Sequence, residues 1–172
     1  MQRPAPRPPI NQADLQRLAL RYVEKFATSR GRLEAYLKRK LRERGADGET
    51  DPAAIADAMV ARGYVDDAAY AEAKSAGLAR RGYGRQRVVA ALRHAGIDQA
   101  GVDEAAERID PVAAALALAR RRRIGPWARE AAGPDQQRRQ MAQLVRAGHA
   151  PGLSRKIVAL PPGEEPNPET LE

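Results

Sequence analysis

Two histidines, a pair of adjacent aspartates, a glycine–tyrosine–glycine turn and three runs of arginine are the residues of this chain with chemistry to offer. His94 and His149 each stand beside a glycine that closes a helical pattern, Gly96 and Gly148. No HExxH, no histidine–carboxylate cluster and no Ser/His/Asp pattern accompanies them. Both therefore read as cations placed at helix C-termini, where they complement the helix dipole. Asp66-Asp67 could in principle hold a metal or divide acid and base duties. Following Gly63-Tyr64-Val65, the pair reads instead as a helix N-cap and its dipole-complementing neighbour. Gly82-Tyr83-Gly84 lacks the third glycine, the following Lys-Ser/Thr and the preceding strand that phosphate loops require, and reads as a helix–helix turn. Cysteine is absent, which removes disulfides, thiolate metal sites and a cysteine nucleophile. Nothing here points to an enzyme, a metal or a cofactor.

The arginines carry more. Lys38-Arg39-Lys40-x-Arg42-x-Arg44 lies on one helix, and with Leu33, Leu37 and Leu41 on the core side these cations spread over exposed faces. Arg80-Arg81-x-x-x-Arg85-x-Arg87 brackets the glycine turn, and Arg120, Arg121, Arg122 and Arg123 are contiguous. Such runs are often only solvated faces. Arginine, however, presents a planar fork matched to phosphate and carboxylate, and clusters in matched places of a repeat could line one surface. Aromatic platforms for a single strand look poor, because Tyr22 and Tyr36 fall in core stripes.

The elements that position these groups are helices. The chain has 172 residues, with 30 Lys+Arg against 22 Asp+Glu for a net charge of +8, and only 4% aromatics. The charge divides as +5 over residues 1–51, −1 over 52–110 and +4 over 111–172, a balance that favours an anionic partner. No apolar run approaches a membrane span and no secretory signal opens the chain, so the cytoplasm is expected. Leu15, Leu18, Tyr22, Val23 and Phe26 make one helical stripe, and Leu33, Tyr36, Leu37 and Leu41 another. Asp14, Asp51, Asp66 and Asp110 stand where N-caps belong, and Gly45, Gly63, Gly96 and Gly148 where helices close. Leu37-x3-Leu41-x3-Gly45 recurs as Val88-x3-Leu92-x3-Gly96 and, more loosely, around Leu144 and Gly148. Gly31 recurs at the same offset as Gly82. This predicts an all-α chain of three tandem three-helix repeats, 14–65, 66–110 and 111–160, forming an elongated, curved array. Residues 1–13 and the acidic 161–172, rich in proline, are expected to be disordered tails.

At this point the residues resemble a known family. Gly63-Tyr64-Val65-Asp66-Asp67-Ala68-Ala69-Tyr70-Ala71 is similar to the signature of the bacterial regulatory protein RecX, and Arg80-Arg81-Gly82-Tyr83-Gly84 to the same family's Arg-x-Gly-x-Gly turn. The likeness spans roughly residues 15–160. It departs at Arg85, where proline is common, and in the stretched third repeat with Trp127. The resemblance implies tandem three-helix repeats. It also implies a monomeric partner of the RecA recombinase and of the single-stranded DNA in its filament, inhibiting strand exchange and ATP hydrolysis. Of the motif residues, Gly63, Tyr64, Asp66, Asp67, Tyr70, Gly82 and Gly84 are expected to be mainly architectural. Lys38, Arg39, Arg42, Arg81, Arg85, Arg87 and Arg120 to Arg123 are expected to form the binding surface. Two alternatives stand beside this reading. One is a helix-turn-helix DNA binder using helix 33–44 or 85–95 in a major groove, and the other a helical scaffold for a different acidic protein.

Overall fold

The computed structural model describes residues 8–171. Among them all regular structure is helical: α1 (Gln12–Val23), α2 (Arg30–Arg44), α3 (Pro52–Ala61), α4 (Asp67–Arg80), α5 (Arg85–His94), α6 (Gln99–Glu107), α7 (Pro111–Arg122), a short 3-10 turn at Gly125–Trp127, α8 (Pro134–Arg146), α9 (Pro151–Ala159) and α10 (Pro168–Leu171). From α1 to α9 these are three successive helix triplets, as the repeat predicts.

The caps explain where the helices start. Asp51 accepts from Ala53 and Ala54 N–H, Asp66 from Ala69 N–H and Asp110 from Ala113 N–H, with proline following at the first helical position after Asp51 and Asp110. Each such cap contributes about 1 kcal/mol. Asp14 is not a cap. Asn11 takes that place, accepting from Asp14 N–H at 2.8 Å, and Asp14 lies in the first turn, paired with Arg17. Asn11 is one of the best capping residues and lies three positions upstream, so the helix has already begun at Asp14, whose own N–H is the one capped.

Two compact units are present: residues up to Tyr70 together with Ala95–Asp98, and Ala71–His94 together with Gln99 onward. In the first, α1, α2 and α3 pack around Leu15, Ala19, Leu33, Leu37, Ile55, Ala56 and Met59. In the second, Val112, Ala115, Leu118, Ile124, Leu144, Leu153 and Ile157 form the main cluster. The stripe of α1 runs past its useful end: the helix stops at Val23, and Phe26, expected in the core, is 56% exposed.

Both segments expected to be disordered are ordered over their described parts. Residues 1–7 lie outside the described residues, but Ile10 is fully buried and exchanges backbone hydrogen bonds with Gly45 and Asp47. At the other end Leu171 is buried in the second unit's core, with Lys156 Nζ donating to the Thr170 carbonyl. One apolar anchor in each segment supplies burial that overall composition does not reveal.

Two glycine contacts recur. In the first unit Gly31, in the first turn of α2, lies against Gly96; a methyl on Gly31 would come within 2.8 Å of Gly96 Cα. Ser29, the N-cap of α2, also donates its hydroxyl to the Ala95 carbonyl. In the second unit Gly84, ahead of α5, lies against Gly148, and Gly84 N–H donates to the Ala147 carbonyl at 2.9 Å. Gly82 therefore does not repeat the role of Gly31. Gly82 has φ +74° in the turn itself, while Gly31 is helical and its counterpart in packing against a later glycine is Gly84.

Candidate cationic site

The basic clusters differ in how their charge is balanced. On α2, Lys38 pairs with Glu34 at 2.5 Å, Arg39 with Glu43 at 3.6 Å and Lys40 with Glu43 at 2.7 Å. Glu34 also accepts from Arg30, which reaches Asp57 as well. The hydrogen bond from Lys38, followed by that from Arg30, holds the Glu34 carboxyl below its ordinary range. Arg39 and Lys40 lie over the Tyr36 ring, which stacks on Tyr22. Of the three cations predicted here, Arg42 alone has no partner among the described residues. These are exposed helix pairs of small individual value, yet together they neutralise much of the face.

The second unit is different. Arg87, Arg121, Arg122 and Arg146 converge with Tyr83, Gln143, Leu118 and Ala147 on an open concavity of about 380 Å³. No carboxylate lines it. Among the described residues none of these four arginines is ion-paired. Arg87 is held over the half-buried Tyr83 ring, 5.8 Å from its centroid, an interaction of about 0.5–1 kcal/mol at such a site. Its base is α5, whose first turn is fixed by Gly148: Gln86 N–H donates to the Gly148 carbonyl at 3.3 Å.

Beneath this turn lies His149, 2% exposed. Its Nε2 lies 2.9 Å from the Gly82 carbonyl oxygen. A carbonyl can only accept, so Nε2 carries the proton and Nδ1, which is buried without a partner, does not. Burial pushes its pKa below the ordinary histidine value, with the hydrogen bond to Gly82 opposing. His149 is thus a neutral cross-brace and not the helix-end cation expected from its position.

The glycine–aspartate motif builds a joint. Gly63 has φ +75° after α3, Val65 is buried, and Asp66 caps α4. Asp67 does more than complement a dipole: its Oδ1 accepts from Arg30 N–H at 2.7 Å, capping α2 from a residue 37 positions away. Tyr70 is half-buried and Tyr64 is 56% exposed.

Residues 66–105 match the family model of the RecX second three-helix domain. A curated relative, the regulatory protein RecX of Myxococcus xanthus (strain DK1622), is 28% identical over 156 residues, covering 84% of this chain and 83% of that protein. A crystal structure of regulatory protein RecX superposes with a TM-score of 0.60 at 21% identity, over 85% of this chain and 72% of the other. The chain is thus similar to a RecX protein over most of its length. The model match covers the segment holding Asp66, Asp67, Tyr70, Gly82 and Gly84.

Within this chain the structure brings Arg87, Arg121 and Arg122 together in one groove, and leaves Arg81, Arg85, Arg120 and Arg123 exposed outside its lining. Arg81 Nε donates to the Gly77 carbonyl, closing α4. Arg123 closes α7 in the left-handed region at φ 56°. Lys38, Arg39 and Arg42 belong to the other unit. Sequence reasoning missed Tyr83, Gln143 and Arg146. Tyr83 and Arg87 stand four apart, a spacing that was available as a signal, whereas α8 is brought to the groove only by tertiary packing.

Proposed function

We propose that this chain is a RecX-like, non-catalytic regulator that binds the RecA recombinase and its filament on single-stranded DNA and lowers strand exchange and ATP hydrolysis. The observation that carries this reading is the uncompensated arginine surface of the second unit, in a chain similar to a protein named as regulatory. Arg81, Arg85, Arg87 and Arg120 to Arg123 dominate binding in this proposal. Lys38 and Arg39, already paired with Glu34 and Glu43, contribute less than Arg42, which has no ion-pair partner among the described residues. The chain acts as a monomer of three repeats, 14–65, 66–110 and 111–160.

One observation weighs against a helix-turn-helix reading. A recognition helix offers its N-terminal residues to base edges, but the first turn of α2 is packed on Gly96 and that of α5 on Gly148. The deciding experiment is DNA-dependent ATP hydrolysis by RecA with increasing amounts of this protein. Inhibition is expected below the concentration needed to bind naked DNA. Unchanged hydrolysis at low salt would overturn the proposal. Arg85→Glu with Arg87→Glu should weaken binding while costing no more than about 1 kcal/mol of stability, most of it the lost contact of Arg87 with the Tyr83 ring.

A further inference from the structure

We infer that the groove lined by Arg87, Arg121, Arg122 and Arg146 is a binding site for the clustered phosphates of a nucleotide, in its own right and independently of any recombinase. Four guanidinium groups from α5, α7 and α8 surround a concavity of about 380 Å³, and no carboxylate is present to satisfy them. On α2, Lys38 and Arg39 are matched by acids at helical spacing, and Arg108 and Arg138 have their Glu104 and Asp135. Here the arginines are not matched. Like charges brought together without counter-charge repel, and an arrangement of this kind is stabilised by an anion that supplies several acceptor oxygens at once.

The details favour phosphate over a chain of carboxylates. Guanidinium forks pair with phosphate oxygens in bidentate fashion. Tyr83 holds Arg87 from the ring side, so the Arg87 fork is oriented before any ligand arrives. Gln143 adds an amide donor to the same wall. Arg87 covers one face of Tyr83, and no second aromatic is among the groove's lining residues, so the site grips phosphates and leaves the base unread. The same chemistry can come from the polyphosphate of a free nucleotide or from successive phosphates of a single strand.

Titration calorimetry on the full chain, with sodium tripolyphosphate and separately with a short oligothymidylate, tests this. Arg121→Ser with Arg146→Ser should lower affinity for the bound probe by about tenfold or more. The same pair should reduce the slope of log K against log salt by about one for each phosphate no longer neutralised. Arg87→Ser with Arg122→Ser serves as an independent pair. Arg129→Ser with Arg139→Ser removes equal charge from positions outside the groove and should change affinity by less than about threefold. Binding of tripolyphosphate alone assigns the site to free nucleotides. Mutual displacement of the two probes assigns it to strand phosphates. Equal losses in the groove and control variants, absence of binding by both probes, or equally tight binding of polyglutamate would overturn the inference. Recombinase inhibition retained in the groove variants leaves the regulatory role standing on Arg81, Arg85, Arg120 and Arg123, without the groove. Phosphate binding without any recombinase effect does the reverse.

Discussion

Replacing Gly31 by alanine sets two known effects against each other. Gly31 lies in α2, and glycine in a helix is destabilising relative to alanine by roughly 0.5–1 kcal/mol. On propensity alone the change should stabilise. The added methyl, however, would sit 2.8 Å from Gly96 Cα and 3.0 Å from the Ala95 carbonyl oxygen. Both obstacles are backbone and neither can rotate away, so overpacking of about 1–3 kcal/mol applies. The Ser29 to Ala95 hydrogen bond is stretched by the same displacement. The net expectation is a loss of about 1 kcal/mol, within a range of about 0–2.5 kcal/mol, with the midpoint falling about 2–4 °C for each kcal/mol lost in a chain of this size. Gly77→Ala is the matched control: it is helical in α4, and its methyl would meet only the end of the Arg80 side chain at 3.9 Å. It should gain about 0.5–1 kcal/mol. Urea titrations and thermal melts followed by circular dichroism at 222 nm report both. Stabilisation by Gly31→Ala equal to that by Gly77→Ala would refute the backbone contact.

Three further outcomes follow from burial and backbone geometry. Leu37→Ala should cost about 2–5 kcal/mol in chemical denaturation, and more than Leu41→Ala, because Leu37 is fully buried and Leu41 only partly; equal losses would misplace the core face of α2. His149 is held neutral with a lowered pKa, so its contribution is present above the unfolded value of about 6.5 and lost as pH falls below it, where the unfolded chain binds the extra proton. Urea midpoints should therefore drop between pH 7.5 and 5.5, by less in His149→Gln, and an identical drop in both proteins would contradict the assignment. Arg123→Gly relieves a left-handed arginine of about 1 kcal/mol but adds roughly 0.5–1 kcal/mol of unfolded-chain entropy; the melting midpoint should stay within about 2 °C, and a large fall would mean that the side chain holds the turn.

What could be read from residues alone was whatever chemistry is local. Asp51, Asp66 and Asp110 cap the helices that begin beside them, and the spacing of Leu33 and Leu37 declares their buried face. Charge compensation on α2 was equally local, since Glu34 to Lys38 and Glu43 to Arg39 are four-residue pairs, so the unequal worth of the arginine clusters was legible in principle. The remainder depends on long-range packing. Gly82 and His149 are 67 residues apart, and no spacing announces that one accepts from the other. Gly31 and Gly84 were legible as glycines, but their partners Gly96 and Gly148 were not. Phe26 continues a periodic stripe that the chain abandons at Val23, because periodicity records where a helix could run and not where it ends.

The bare approaches at Gly31–Gly96 and Gly84–Gly148 also bear on how such a chain can change over generations. A joint made of main chain has no side chain to enlarge, trim or recolour, so neither tighter fitting nor a new chemical preference can be acquired there by single substitutions. Adaptation to heat or to a different partner must instead be written on the outward helix faces, where arginine, lysine and glutamate exchange freely while the joints stay fixed.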